Sequence, residues 1–363
     1  MASDFVFDRA PRRVYWELTR ACALACRHCR AEAIARRDPR ELTTDEGRRL
    51  LEALRELGDP GPAVVLTGGD PLARPDFWEL LDHGVGLGLP MHVAPSGTPL
   101  LTPEVVGRLA GAGARAMSLS LDGADAARHD GFRGIPGCFD RTLEAARAAV
   151  AAGLSLQVNT PVTAGTLADL PAVYERVRAL GAARWSLFFL IQVGRGRDLQ
   201  QLSPAAAEAL LAWLWARGRP DGPVVTATEA PHYRRVALQR RRTAEARGSG
   251  ATRRGLRDGF GVRDGNGIMF VSHVGDVQPS GFLPIVAGSV RHAHPGFIYR
   301  EAPLFRALRA ASGFHGRCGR CEFREVCGGS RARAYATSGD PLGQDSLCAY
   351  QPDGRQAWTS TGC

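Results

Sequence analysis

Glu17-Leu-Thr-Arg-Ala-Cys22-Ala-Leu-Ala-Cys26-Arg-His-Cys29-Arg30 sets three thiols at the spacing C-x3-C-x2-C directly behind a short apolar run, Val14–Leu18. A second group, Cys318, Cys321, Cys327 and Cys348, stands near the C-terminus at the spacing C-x2-C-x5-C-x20-C. Together they hold seven of the nine cysteines in 363 residues. The two groups are different chemical objects. Four thiolates saturate a cubane iron–sulfur cluster, whereas three leave one iron open to a cofactor or substrate. Arg20, Arg27, His28 and Arg30 lie in the first loop, where positive charge favours thiolates. A zinc knuckle there needs a fourth ligand, and His28, wedged between Cys26 and Cys29, is badly placed to supply it.

Moving outward, short apolar runs alternate with amphipathic stretches from about residue 12 to 220. Strands are predicted at Val14–Leu18, Ala63–Thr67, Met91–Ala94, Ala116–Leu121, Leu154–Thr160 and Trp185–Leu190. Helices are predicted at Thr44–Leu57, Asp76–Gly84, Pro103–Gly111, Phe139–Ala152 and Leu170–Leu180. Thr43 or Thr44 with Glu46 forms a capping signal, and Gly153 and Gly181 stand where helices stop. This alternation predicts an α/β fold of parallel strands with crossover helices, and six units predict a partial (β/α)6 barrel. Sites in such barrels lie at the C-terminal ends of the strands, where the three-cysteine loop falls. The chain divides into a lead-in (1–11), the barrel (12–220), an Arg- and Gly-rich linker with a helix (221–266), and a small metal-organised extension (267–363). In the extension Ile268–Ser272, a Gly275-Asp276 turn and Val277–Gln278 predict a hairpin, and Pro303–Ala310 a short helix. The tail from Cys318 is too poor in apolar residues for a core of its own and calls for a staple.

Composition bounds the function. The formal net charge is +9, and all 46 cations are arginine. The densest basic stretch runs from Arg234-Arg235 through Arg240-Arg241-Arg242 to Arg247, Arg253 and Arg254. It predicts a solvated loop, with an anion-attracting rim as the sharper alternative. No nucleic-acid motif accompanies the charge. No apolar run spans a bilayer, and the charged start argues against a signal peptide. The expectation is a cytoplasmic protein with no membrane or nucleic-acid partner, whose clustered thiols are metal ligands. Cys138 and Cys363 carry no assigned chemistry. Met91, Met117 and the tryptophans are expected in the core.

The three-cysteine loop after a first strand resembles that of the radical S-adenosylmethionine (SAM) enzymes. Gly68-Gly69-Asp70-Pro71 after the second strand is similar to that family's G-G-E-P motif, which meets the SAM amino group. Ser96-Gly97-Thr98 follows the third strand, Ser118-Leu-Ser120-Leu-Asp122-Gly123 ends the fourth and Asn159 the fifth. Asp70 replaces the usual Glu, and His28 stands where many members carry an aromatic residue near adenine. The resemblance implies a [4Fe–4S] cluster on Cys22, Cys26 and Cys29, and SAM held by Gly68, Gly69, Asp70, Pro71, Ser96, Gly97, Ser120, Asp122 and Asn159. It further implies reductive cleavage of SAM to a 5′-deoxyadenosyl radical, with ferredoxin or flavodoxin as reductant.

The tail, Cys318-Gly-Arg-Cys-Glu-Phe-Arg-Glu-Val-Cys-Gly-Gly-Ser-Arg-Ala-Arg-Ala-Tyr335 with Gly339-Asp340-Pro341 and Leu347-Cys348, resembles the SPASM/Twitch extension. It is closest in look to the haem-biosynthesis decarboxylases and mycofactocin-maturase relatives, as are Arg133-Gly-Ile-Pro-Gly137, Phe188-Phe-Leu190 and Gly194-Arg195-Gly196. Ser330 and Ser280 stand where two-cluster relatives place cysteines, which implies one auxiliary [4Fe–4S] cluster on Cys318, Cys321, Cys327 and Cys348. A zinc ribbon is the rival, which the x5 and x20 spacings fit badly. The implied reaction is oxidative decarboxylation of a carboxylate-bearing substrate such as a tetrapyrrole propionate. The alternatives are maturation of a ribosomal peptide by decarboxylation or crosslinking, dehydrogenation of a small natural product, and, remotely, a zinc-stabilised scaffold without catalysis.

Overall fold

Along Arg13–Thr19 (β1), Val14, Trp16 and Leu18 are fully buried, whereas Arg13 and Tyr15 are half-buried. This alternation is that of a strand with one face on an apolar core and the other on something polar. A computed structural model describes residues 6–218, 221–246 and 259–353. The strands after β1 are β2 (Ala63–Gly68), β3 (Met91–Val93), β4 (Ala116–Ser120), β5 (Ser155–Val162), β6 (Arg184–Phe189) and β7 (Val224–Thr228). Then follow β8 (Ile268–Val271), β9 (Asp276–Gln278) and β10 (Gly288–Ser289). All ten lie in one sheet of order β10-β9-β8-β1-β2-β3-β4-β5-β6-β7. Each pair from β1 to β7 is parallel, β8 runs parallel to β1, and β9 and β10 add antiparallel.

Helices cross between the strands: α1 (Thr44–Arg55), α2 (Phe77–Gly86), α3 (Pro103–Gly111), α4 (Ala126–Arg133), α5 (Cys138–Ala151), α6 (Leu170–Ala179), α7 (Pro204–Arg217) and α8 (His232–Ala246). Thr43 opens α1 with a reciprocal capping box to Glu46. Gly153 and Gly181, at φ 77° and 69°, turn the chain out of α5 and α6. Four short helices follow: α9 (Pro295–Glu301), α10 (Pro303–Arg309), α11 (Gly316–Arg320) and α12 (Arg331–Ser338).

The core lies between the helices and the outer face of the sheet. Trp16, Trp185, Met91 and Met117 are buried there. Truncating either tryptophan to alanine would cost about 3–5 kcal/mol. The inner face carries small or polar side chains instead, among them Thr67, Ser118, Asn159 and Ser186, so it does not close into a dry core. Residues from β1, β2, β5, β6 and β7 line one common cavity, which shows that the sheet curls round a lumen.

The structure extends the six-strand expectation on both edges. β7 has only two valines and presents threonines inward, so its apolar signal was too weak to read. The hairpin β8–β9 forms as predicted, but β8 joins the barrel sheet directly. The basic stretch begins as a helix rather than a solvated loop. Arg235 is buried against Glu208, with Nη2 to Oε2 at 2.5 Å, and Arg234 donates to the carbonyls of Val262 and Val326. Arg247, Arg253, Arg254 and Cys363 lie outside the described residues. Among the described residues no helix is long and apolar enough to cross a membrane.

Candidate functional site

The three-cysteine loop leaves β1 at its C-terminal end and is pinned from several sides. Arg195 donates from Nε to the Cys26 carbonyl at 2.9 Å and from Nη1 to that of Ala33 at 3.3 Å. Gly194, at φ 52°, packs so closely that a Cβ would lie 2.6 Å from the carbonyl oxygens of Cys29 and Arg30. The amides of Ala25 and Arg27 donate to Arg133 and Phe132. The three thiols line the mouth of a cavity of about 1140 Å³ that continues into the lumen.

Burial pushes the Cys22 thiol up to about 11 and raises that of Cys26. Without a cation such thiols stay protonated, and a bound metal supplies the charge that ionises them. Three thiols on one short loop, opening on one cavity, fit an iron–sulfur cluster. Two of the cations expected to offset the thiolates are engaged elsewhere. Arg30 pairs with Glu17 at 3.0 Å, and Arg20 donates to the Glu32 carbonyl. His28 is held neutral, its pKa lowered to about 4 by burial, and stacks on Phe132 at 4.8 Å. The guanidinium that reaches a thiol is Arg133, whose Nη1 lies 3.5 Å from Cys26 Sγ.

Of the residues expected to hold SAM, Gly68, Gly69, Ser96, Ser120, Asp122 and Asn159 line this cavity. Gly69 presses on the end of the cysteine strand: a Cβ there would lie 2.4 Å from the Ala21 carbonyl oxygen. Asp70, Pro71 and Gly97 do not line it. The Asp70 side chain is buried behind the wall, where it accepts from Thr98 Oγ1 at 2.6 Å, from the Leu72 amide at 3.2 Å and from the Ser96 amide at 3.4 Å. It caps the short 3-10 helix Pro71–Ala73 and ties the β2 turn to the β3 turn. Asp122 is ion-paired with Arg133. Burial works against its charged form, but the Arg133 guanidinium holds the carboxyl below its ordinary value. Asn159 accepts from Gln157 at 2.7 Å.

Cys318, Cys321, Cys327 and Cys348 line a second pocket, with about 430 Å³ of free space, which Arg235, Arg317 and Arg324 also border. Burial pushes Cys321 up to about 12 and raises Cys327 and Cys348. Among the described residues no three His, Cys, Asp or Glu side chains converge tightly enough to grip a single metal ion. Two buried arginines of α12 fasten this pocket. Arg331 donates to Cys318 Sγ at 3.4 Å and to the Gly343 carbonyl at 2.7 Å. Arg333 donates to the carbonyls of Leu190 and Glu229 and pairs with Asp345. Ser330 lies apart from the thiol pocket. Its Oγ donates to Glu229 Oε2 at 2.5 Å, facing the lumen. Ser280 accepts from the Phe282 amide within its own turn. Arg133, Arg195, Arg331 and Arg333 sit inside motif stretches, but nothing in those stretches told which backbone or thiol each would reach.

The chain matches the model of the radical SAM superfamily over residues 16–177. It is 40% identical to the AdoMet-dependent heme synthase of Methanosarcina barkeri, over 94% of this chain and 97% of that protein. Its identity to the mycofactocin maturase MftC of Mycobacterium ulcerans is 33%, over 93% of this chain and 88% of that protein. The crystal structure of Streptococcus suis SuiB bound to S-adenosylmethionine shares the fold, at a TM-score of 0.71 and 18% identity, over 94% of this chain and 78% of that one.

Proposed function

The chain belongs to the radical SAM superfamily, and from that premise we propose that it oxidatively decarboxylates propionate side chains of a tetrapyrrole. The observation that carries this reading is the 40% identity, over nearly the whole of both chains, to an AdoMet-dependent heme synthase. An arginine-rich lumen beneath the three-cysteine loop agrees with a substrate bearing carboxylates.

In this reading Cys22, Cys26 and Cys29 would hold a [4Fe–4S] cluster, and Gly68, Gly69, Ser96, Ser120 and Asn159 would face SAM beside it. When bound, cluster and SAM supply the hydrogen-abstracting 5′-deoxyadenosyl radical, driven by a reductant such as ferredoxin or flavodoxin. Asp70, Pro71 and Gly97 shape the cavity from behind. Asp122 acts through Arg133, and both are held inside the protein. The barrel walls orient the substrate and exclude water, which is the protein's share in cofactor chemistry. Residues 267–363, with Cys318, Cys321, Cys327 and Cys348, would carry one auxiliary [4Fe–4S] cluster. Overall, each propionate would lose carbon dioxide, one hydrogen atom to the 5′-deoxyadenosyl radical and one electron to a one-electron acceptor, and become a vinyl group.

The test is made on anaerobically reconstituted protein given dithionite, SAM and a porphyrin carrying propionates. About eight irons per chain, formation of 5′-deoxyadenosine and a vinyl product detected by mass support the reading. Two clusters with nucleoside formed but no porphyrin turnover would move the assignment to a peptide substrate, which the similarity to the mycofactocin maturase favours next.

A further inference from the structure

The lumen holds two cavities end to end. The upper one is the cysteine and SAM-motif cavity. The lower one, of about 1410 Å³, is lined by residues earlier on the same strands. On β5 Gln157 faces the lower cavity and Asn159 the upper. On β6 Arg184 and Ser186 face the lower cavity, and Phe188 lines both. The lower cavity thus continues the upper one along the barrel axis, with Phe188 at the join.

Its charge is one-sided. Arg13, from β1, reaches this cavity with a guanidinium whose Nη1 donates to Tyr15 Oη at 3.4 Å and whose Nε is buried without a hydrogen-bond partner. No Asp or Glu forms an ion pair with it among the described residues. Arg234 and Arg263 line the same cavity and donate to backbone carbonyls, and Arg263 also lies over the Phe314 ring. The two acids on its wall are already engaged. Asp264 accepts from the amides of Arg331 and Ala332, and Glu229 from Ser330. Burial and the neighbouring Asp264 raise the Glu229 carboxyl above its ordinary range. Arg13 is half-buried, so its guanidinium faces the cavity with no carboxylate beside it and can meet an anion there. Arginine paired with a hydroxyl donor is the usual means of gripping a carboxylate.

We infer that the lower cavity is a carboxylate-binding subsite in which Arg13 and the Tyr15 hydroxyl hold a substrate carboxylate remote from the reacting one. A rigid substrate carrying several carboxylates spans both cavities past Phe188. One end sits under the three-cysteine loop and the other on Arg13. This inference rests on the tetrapyrrole reading above and names the group that orients such a substrate.

The experiment titrates reconstituted protein with a porphyrin bearing four propionates, with its tetramethyl ester, and with SAM, for wild type, Arg13→Gln and Tyr15→Phe. Expected is a loss of porphyrin-acid affinity on the order of tenfold or more in Arg13→Gln and a smaller loss in Tyr15→Phe. SAM affinity is unchanged, and the ester binds both variants as weakly as it binds wild type. The melting temperature of Arg13→Gln matches that of wild type, because Arg13 is half-buried and forms no ion pair among the described residues. Equal porphyrin-acid affinity in wild type and Arg13→Gln overturns the subsite while leaving the tetrapyrrole reading intact. Parallel losses of SAM affinity or of melting temperature overturn it too, since they make Arg13 a structural residue. Absence of porphyrin binding to wild type overturns the tetrapyrrole reading and this inference with it.

Discussion

Arg133 donates from Nη1 to Cys26 Sγ at 3.5 Å while its Nε and Nη2 hold the carboxylate of Asp122. One buried guanidinium therefore serves a cluster-loop thiol and an anion at the end of β4. Arg133→Gln strands Asp122 in the interior, and the expected destabilisation is about 3–5 kcal/mol. The double variant Asp122→Asn/Arg133→Gln removes both charges and recovers much of that loss. In the reconstituted double variant the charges cancel but the hydrogen bond to Cys26 Sγ is lost, so its cluster has a lower reduction potential. Denaturant melts and a redox titration followed by electron paramagnetic resonance check the two halves. A single variant as stable as wild type would refute the pairing.

Asp76 is held by Arg74 and Thr44 beneath the same loop. Arg74 also donates to the carbonyls of Leu18 and Leu42. Burial disfavours the Asp76 carboxylate, yet Arg74 and Thr44 outweigh it and bring its pKa down to about 2. The folded value lies below the unfolded one of about 3.9. Its contribution, about 2 kcal/mol, is thus complete above about pH 4 and is lost as pH falls through 2. Asp76→Asn loses that amount at neutral pH and shows a flatter stability curve between pH 4 and 2. Unfolding free energies of the two proteins across that range decide it.

Asp70 is placed to build the wall rather than to face the cavity. Asp70→Ala leaves the Thr98 hydroxyl and the amides of Leu72 and Ser96 without their acceptor. The expected cost is about 2–3 kcal/mol of stability, with a lower melting temperature before any SAM is added. A residue that served only to contact SAM would leave the melting temperature unchanged and weaken SAM binding alone. Comparing the two readouts separates these roles.

The sequence carried the barrel because outer-face residues such as Val14, Trp16 and Leu18 alternate strictly with polar ones. Thr43 with Glu46, Gly153 and Gly181 also punctuate helices in ways that depend only on local backbone chemistry. β7 escaped because its inward face is threonine and its apolar content slight. The thiol groups were legible from spacing alone. The supports of the site were not, since Arg133 meets Cys26 across 107 residues and Arg333 meets Leu190 across 143. The Asp70 side chain is bonded within its own turn. One methylene shorter than Glu, its carboxylate folds back on its own turn as an N-cap, a position Asp favours.

Cys327 is buried among the other tail thiols and packs with Phe323 and Val326. Cys327→Ala removes one of four donors from the pocket that Arg331 fastens to α12, and leaves the first loop untouched. Iron is expected to fall from about eight to about four per reconstituted chain. 5′-Deoxyadenosine still forms from SAM and dithionite, because Cys22, Cys26 and Cys29 lie in a separate cavity. Conversion of the propionate substrate to a vinyl product is lost. Cys26→Ala gives the complementary result: about four irons remain, and no nucleoside forms. Iron and sulfide analysis with nucleoside and product chromatography reads all of these at once. A Cys327→Ala protein with full iron and full turnover would show that the tail pocket holds no cluster.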